Sequence, residues 1–190
     1  MSVPKADGPV MIDGKPLDLS HLAMMTRQVE MHLPGGHKKV VRVDFHFSCH
    51  CFSRSPEAYD DGTQEEIPDG RLVPDGSVHM PRPRIFCPDR YELSKQLVAC
   101  IDAMIAHDGI VTRTQHVNYF HLSALQHAVA HLPNPADYYV FFGIKTAKPE
   151  NLAKQFKISV ESAYVDANAH GRVARTFAEA LGEEWAGLKK

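Results

Sequence analysis

With 190 residues, 44% of them hydrophobic and 23% charged, the chain has the proportions of one globular domain over residues 1–190 that buries most of its apolar surface without staples. Against 23 Asp and Glu stand 21 Lys and Arg, a formal charge of −2 that excludes global attraction to nucleic acid and leaves only a local patch for such binding. The 12 histidines turn that charge positive as pH falls through roughly 6.5, so binding to polyanions would depend on pH.

Met1 to Val10 lacks the basic-then-apolar pattern of a secretory signal, and no apolar run approaches the roughly 20 residues of a bilayer span. Cys49, Cys51, Cys87 and Cys100 form no C-x-x-C pair, so a reducing cytoplasm without membrane contact is expected.

In chain order, Leu22, Met25, Val29 and Leu33 recur at helical spacing between an Asp18 or Ser20 cap and the Pro34-Gly35-Gly36 stop, which predicts a short amphipathic helix. Lys38 to Arg54, KKVVRVDFHFSCHCFSR, alternates strictly and predicts one β-strand. Ser55 to Pro83, rich in Pro, Gly, Asp and Glu, predicts a long exposed insertion or lid, with a hairpin around Gly70 to Val78. Pro88 suits a helix first turn, and Leu93, Leu97, Ile101, Met104 and Ile105 carry the buried stripe of a second helix that stops at Asp108-Gly109. Three β-like runs follow, Gln115 to Leu122, Tyr138 to Thr146 and Phe156 to Tyr164, with a short helix at Ser123 to His131 between the first two and a hairpin joining the last two. A closing helix from Ala169 to Leu181 would dock Val173, Phe177 and Leu181 beneath Trp185. The expected fold is α+β: one largely antiparallel sheet covered on one side by two or three helices, with a loop-rich insertion.

The chemistry lies in the alternating strand. Val41, Val43, Phe45, Phe47, Cys49 and Cys51 fall on one face; Arg42, Asp44, His46, Ser48, His50 and Phe52 fall on the other. In such a strand Cys49 and Cys51 point away from His50, so the three cannot share a zinc ion unless a bulge interrupts the alternation; Cys49, Cys51, Cys87 and Cys100 offer a four-thiolate site on the core face as an alternative, but the cysteines are expected as small buried hydrophobes. A dipole-favoured thiolate at Cys87 is the weaker alternative. His46 and His50, four residues apart at roughly 3.3 Å each, stand about 13 Å apart and cannot flank one phosphate. An acid and base pair would instead join one of them to His116 or His121. Arg84 and Arg90 concentrate guanidinium groups at the second helix, where forks and free N–H groups suit phosphate, although pairing of Arg90 with Asp89 or Glu92 competes. In V-E-S-A-Y, parity assigns Ser162 and Tyr164 to the core with Phe156, Ile158 and Val160.

The segments FHFSCHCFSR, RIFCPDRYELS, NYFHL and SVESAY together resemble an uncharacterised bacterial domain family associated with plasmids, prophages and other mobile elements, sometimes labelled a stationary phase growth adaptation protein. That resemblance carries no reaction to transfer. At the level of fold alone, a sheet bearing His, Arg, Ser and Tyr is similar to the small metal-independent ribonucleases of bacterial toxins, the barnase, colicin and RelE-like group.

These readings lead to an expectation of RNA cleavage without metal or cofactor. His50 or His46 would deprotonate a ribose 2′-hydroxyl, His116 or His121 would protonate the leaving oxygen, Arg90 and Arg84 would stabilise the phosphorane, and Ser48 and Tyr119 would position the phosphate. The alternative is a non-catalytic module that binds RNA or a protein partner, in one variant stabilised by zinc. Oligomeric state is not legible.

Overall fold

In a computed structural model of the protein, which describes residues 9–75, 82–113, 118–121, 138–147, 155–165 and 173–187, Pro34-Gly35-Gly36 joins two strands instead of ending a helix. Gly35 and Gly36 have φ of 87° and 82°, a left-handed pair that reverses the chain within three residues. On either side run β3 (Met25–His32) and β4 (Lys38–Phe47), antiparallel from Met25 opposite Phe45 to His32 opposite Lys38. The expected first helix is therefore replaced by a strand. Met25 and Val29, four apart, satisfy a period of two as well as one of 3.6, and the apolar β4 beside them supplies a ladder of backbone partners that decides for the strand, in which Val29 and Met31 are buried. Only Leu22 stays buried outside a strand, in a 3-10 turn at Ser20–Leu22.

Before β3 lies a two-stranded ribbon, β1 (Met11–Ile12) with β2 (Lys15–Pro16). After β4 come β5 (Ser53–Arg54), β6 (Leu72–Val73) and β7 (Arg84–Phe86), a small sheet in the order β5-β7-β6. Leu72 and Val73 thus pair with β7, and residues 76–81, where the expected hairpin would close, lie outside the described residues. The second predicted helix is two: α1 (Pro88–Ser94) and α2 (Leu97–Ala106). They part at Lys95-Gln96, where Ser94 is fully buried and its hydroxyl turns back to donate to the Tyr91 carbonyl at 2.7 Å.

The remaining elements are β8 (Ile110–Arg113), β9 (Asn118–His121), β10 (Tyr138–Ala147), β11 (Gln155–Val165), β12 (Val173–Thr176) and α3 (Phe177–Ala186). The main sheet has seven strands in the order β12-β8-β9-β10-β11-β4-β3, antiparallel except that β11 and β4 run parallel. The α+β expectation holds, and the β10–β11 pair is antiparallel as predicted. The closing helix begins eight residues later than expected because β12 takes Val173 into the sheet edge, where it is exposed, while Phe177 and Leu181 are buried as predicted. The Ser123 to His131 helix lies outside the described residues.

One face of the main sheet is core. Val29, Met31, Val41, Val43, Phe45, Phe47, Val140, Phe142, Phe156, Ile158 and Val160 pack there against Leu97, Cys100, Ile101 and Met104 of α2 and Phe177 and Leu181 of α3. The opposite face, by the pleat, presents Arg42, Asp44 and His46 of β4, Lys157 and Ser159 of β11, and Gly143 and Lys145 of β10. Among the described residues no helix is long and apolar enough to cross a membrane.

Candidate functional site

The extended ribbon expected through residue 52 ends at Phe47. Ser48 caps a 3-10 turn at Cys49–Cys51, its hydroxyl accepting the His50 N–H at 3.1 Å, and the chain re-enters a strand only at Ser53. Residues that prefer local side-chain to backbone bonds compete with the ladder, and a serine followed by a turn is where that competition is won. The consequence is a correction to the geometry on which zinc was set aside. Cys51 remains buried against the Val160 carbonyl, but Cys49 and His50 no longer diverge. His50 Nε2 lies 3.0 Å from Asp75 Oδ1, and Cys49 Sγ lies 3.7 Å from the same oxygen. The three donor atoms fall within 4.8 Å of one another.

Beneath this corner the small sheet is tied by Arg84, which is 7% exposed. Its Nε donates to Ser53 Oγ at 2.8 Å and a terminal nitrogen to the Ser53 carbonyl at 3.0 Å, while Ser53 Oγ donates to the Cys49 carbonyl at 2.7 Å. Arg90 donates to the Ser53 carbonyl at 3.1 Å, and its guanidinium lies 4.5 Å from the centre of the Tyr164 ring. Both arginines brace the turn, so Arg84 in particular is no free phosphate clamp. Burial pushes the Cys49 thiol up to about 11 against the pull of the Arg84 charge, and burial pushes Cys51 and Cys100 up to about 12.

A second cluster lies on the outer face of the main sheet. Lys145 and Lys157 face each other across β10 and β11, and Lys157 pairs in register with Asp44 of β4. Asp44 is already engaged: Oδ1 accepts from Thr26 at 2.7 Å and Arg42 at 3.0 Å, and Oδ2 from Gln155 at 3.5 Å. Burial works to raise its pKa, and the bonds from Thr26 and Arg42 hold it below the usual carboxylate range. Next along the face, His46 pairs with Ser159, and Ser159 with Gly143. Burial first, then the Lys157 charge, hold His46 below the ordinary imidazole value, which keeps it neutral at pH near 7.

Glu161 completes this cluster through a β-bulge. Phe141 pairs with Ser162 and Phe142 with Val160, so Glu161 has no partner on β10. Its carboxylate reaches over Gly143, where a Cβ would lie 3.7 Å from Oε1, and its carbonyl accepts the Ser48 hydroxyl at 2.5 Å. The bulge also corrects the parity assigned to V-E-S-A-Y. After the extra residue it is Ala163 that is buried, while Tyr164 turns outward to stack on Phe141 at 5.1 Å between ring centres.

Of the residues singled out in the sequence, His50, Ser48, Arg84 and Arg90 thus gather at the turn and His46 sits on the outer face. Tyr119 and His121 are in β9, opposite Phe141 and Tyr139, and His116 lies outside the described residues. Asp75, Glu161, Lys145 and Lys157 were missed. The two lysines share the outward parity of their strands and were readable from it, whereas the bulge at Glu161 and the return of Asp75 leave no local trace.

No curated protein and no solved structure matches the chain. The model of the YjaZ family matches residues 9–182, a span that contains all four motif segments described above and nearly every described residue. The chain belongs to the YjaZ family.

Proposed function

We propose that this protein binds RNA across the outer face of its main sheet and cleaves it there without metal, with His46 as the base. The supporting observation is the like-charged pair Lys145 and Lys157, directly opposite in register beside His46. Like charges facing each other across a sheet cost free energy, and among the described residues neither ammonium has an ion-pair partner. An anionic ligand removes that cost, and a chain of phosphates matches a basic patch on a molecule with no net positive charge.

In this reading His46, neutral near pH 7, takes the proton of a ribose 2′-hydroxyl. The 2′-oxygen attacks phosphorus, and the bond to the 5′-oxygen breaks. Lys145 and Lys157 stabilise the charge that develops on the phosphorane, and the Lys157 ammonium gives a proton to the departing oxygen. The products are a 2′,3′-cyclic phosphate and a free 5′-hydroxyl. His50, tied to Asp75, is not required to reach the phosphate, which shifts the base from the first to the second of the two expected histidines.

Incubating the full chain with a mixed-sequence RNA, with no divalent cation added, should yield fragments ending in cyclic phosphate. His46→Ala should lower the rate by 10²-fold or more, in the range of a lost general base. Bound but intact RNA would replace catalysis with a non-catalytic RNA-binding role, and RNA neither bound nor cut would remove both.

A further inference from the structure

The turn that ends β4 brings together three groups that no step of the RNA reading uses. Cys49, His50 and Asp75 contribute one sulfur, one nitrogen and one oxygen, and Asp75 arrives from 25 residues downstream of His50. We propose that this corner is a site for a zinc-type divalent cation, ligated by Cys49 Sγ, His50 Nε2 and Asp75 Oδ1.

Distances support it. Zinc with donor lengths of about 2.0 to 2.3 Å holds tetrahedral ligands roughly 3.3 to 3.6 Å apart. Nε2 to Oδ1 is 3.0 Å and Sγ to Oδ1 is 3.7 Å, each within a few tenths of an ångström of those separations, and Sγ and Nε2 lie within 4.8 Å of each other, so a modest closing of the thiol and imidazole around Asp75 makes three corners of a tetrahedron. The donor set also discriminates among metals: a thiolate and an imidazole select zinc or a similar soft to borderline ion over calcium or magnesium, which take oxygen ligands. Charge is compatible as well. Metal entry releases the thiol proton to solvent, after which one thiolate and one carboxylate neutralise a divalent ion, and the nearby Arg84 meets no excess positive charge.

The surroundings hold the ligands as an outer shell would. Ser53 Oγ, fixed by Arg84, donates to the Cys49 carbonyl, and Ser48 Oγ receives the His50 N–H, so the backbone of both ligands is set before metal arrives. The His50 side chain is 36% exposed and that of Asp75 16%, which gives the ion a path from solvent and leaves its fourth position facing out. Metal binding would lock the segment carrying Asp75 onto the turn, a bracing role that uses none of His46, Lys145, Lys157 or the Glu161 side chain, so it stands or falls apart from the RNA reading.

The test is titration of Co²⁺ into the full chain, made without a histidine tag and first stripped with chelator. One equivalent should produce thiolate-to-cobalt charge-transfer absorption that Zn²⁺ bleaches. Cys49→Ser should abolish the band. Asp75→Asn, nearly isosteric and expected to fold, should weaken Co²⁺ binding at least tenfold while the band persists at saturation. Absence of the band in folded protein at saturating Co²⁺, its survival in Cys49→Ser, or unchanged affinity in Asp75→Asn would each overturn the assignment; if Cys49→Ser does not fold, the Asp75 variant decides.

Discussion

Arg84 shows how a residue chosen for chemistry can serve structure instead. It was expected to stabilise a phosphorane; folded, its guanidinium is buried and spends its donors on Ser53 and Ser55. Burial holds its pKa below the usual arginine value, a sign that its charge is expensive where it sits and is kept by these bonds. Arg84→Met, which keeps the stem and deletes the fork, should cost about 2 to 3 kcal/mol in urea unfolding, the scale of charged hydrogen bonds lost inside a protein. A loss below about 0.5 kcal/mol would contradict the bracing role. The histidines make a second prediction. His21 and His46 are both held below the ordinary imidazole value, by burial first in each case. Folded protein therefore binds fewer protons than unfolded protein just below the unperturbed value, so the stability present above roughly pH 6.5 is lost progressively as pH falls from there toward the depressed folded values. The urea midpoint should drop between about pH 7.5 and 5.5, and drop less in the His21→Asn/His46→Asn double variant. An equal drop in both proteins would count against it.

At the scale of elements, α3 is placed by two contacts of different kinds. Its start is a capping box: Thr176 Oγ1 accepts the Glu179 N–H at 3.2 Å, and the Glu179 carboxylate accepts the Thr176 N–H at 2.9 Å. Thr176→Ala should destabilise by about 1 kcal/mol, measurable as a shift in thermal midpoint. The other contact is a close approach of helix to strand at Gly182, where a Cβ would overlap the His32 carbonyl. Gly182→Ala must push α3 off β3 and should cost more than Thr176→Ala, about 3 kcal/mol or greater. A well-folded, near-wild-type Gly182→Ala protein would show that the packing is looser than described. These elements also show what was legible. β4, α2 and the core of α3 were visible because one period fits them and no other does. β3 was not, since Leu22, Met25 and Val29 fit a helix and only pairing with β4 selects the strand. The turn at Cys49–Cys51 was hidden for the opposite reason: alternation continues through it in the sequence while the backbone leaves the ladder at Ser48.

For the whole molecule, the seven-stranded sheet divides the chemistry in two. Its inner face carries the apolar core; its outer face carries the Lys145, Lys157, His46 and Glu161 cluster, and the metal-ligand corner sits beyond the end of β4. The stripe of polar side chains on β4 was readable from alternation as far as His46, but which strands lie beside it was not, because β11 joins β4 from more than 100 residues away and in parallel. That distant pairing brings Lys157 to His46 and turns a row of polar residues into a basic patch. Its use as an RNA site is tested most directly by amide chemical shifts of the full chain titrated with a single-stranded DNA oligonucleotide, which lacks the 2′-hydroxyl and cannot be cleaved. Shifts should concentrate at Arg42 to His46, Gly143 to Lys145 and Lys157 to Glu161, and weaken steeply with added salt. Shifts centred elsewhere, or none at saturating oligonucleotide, would contradict it.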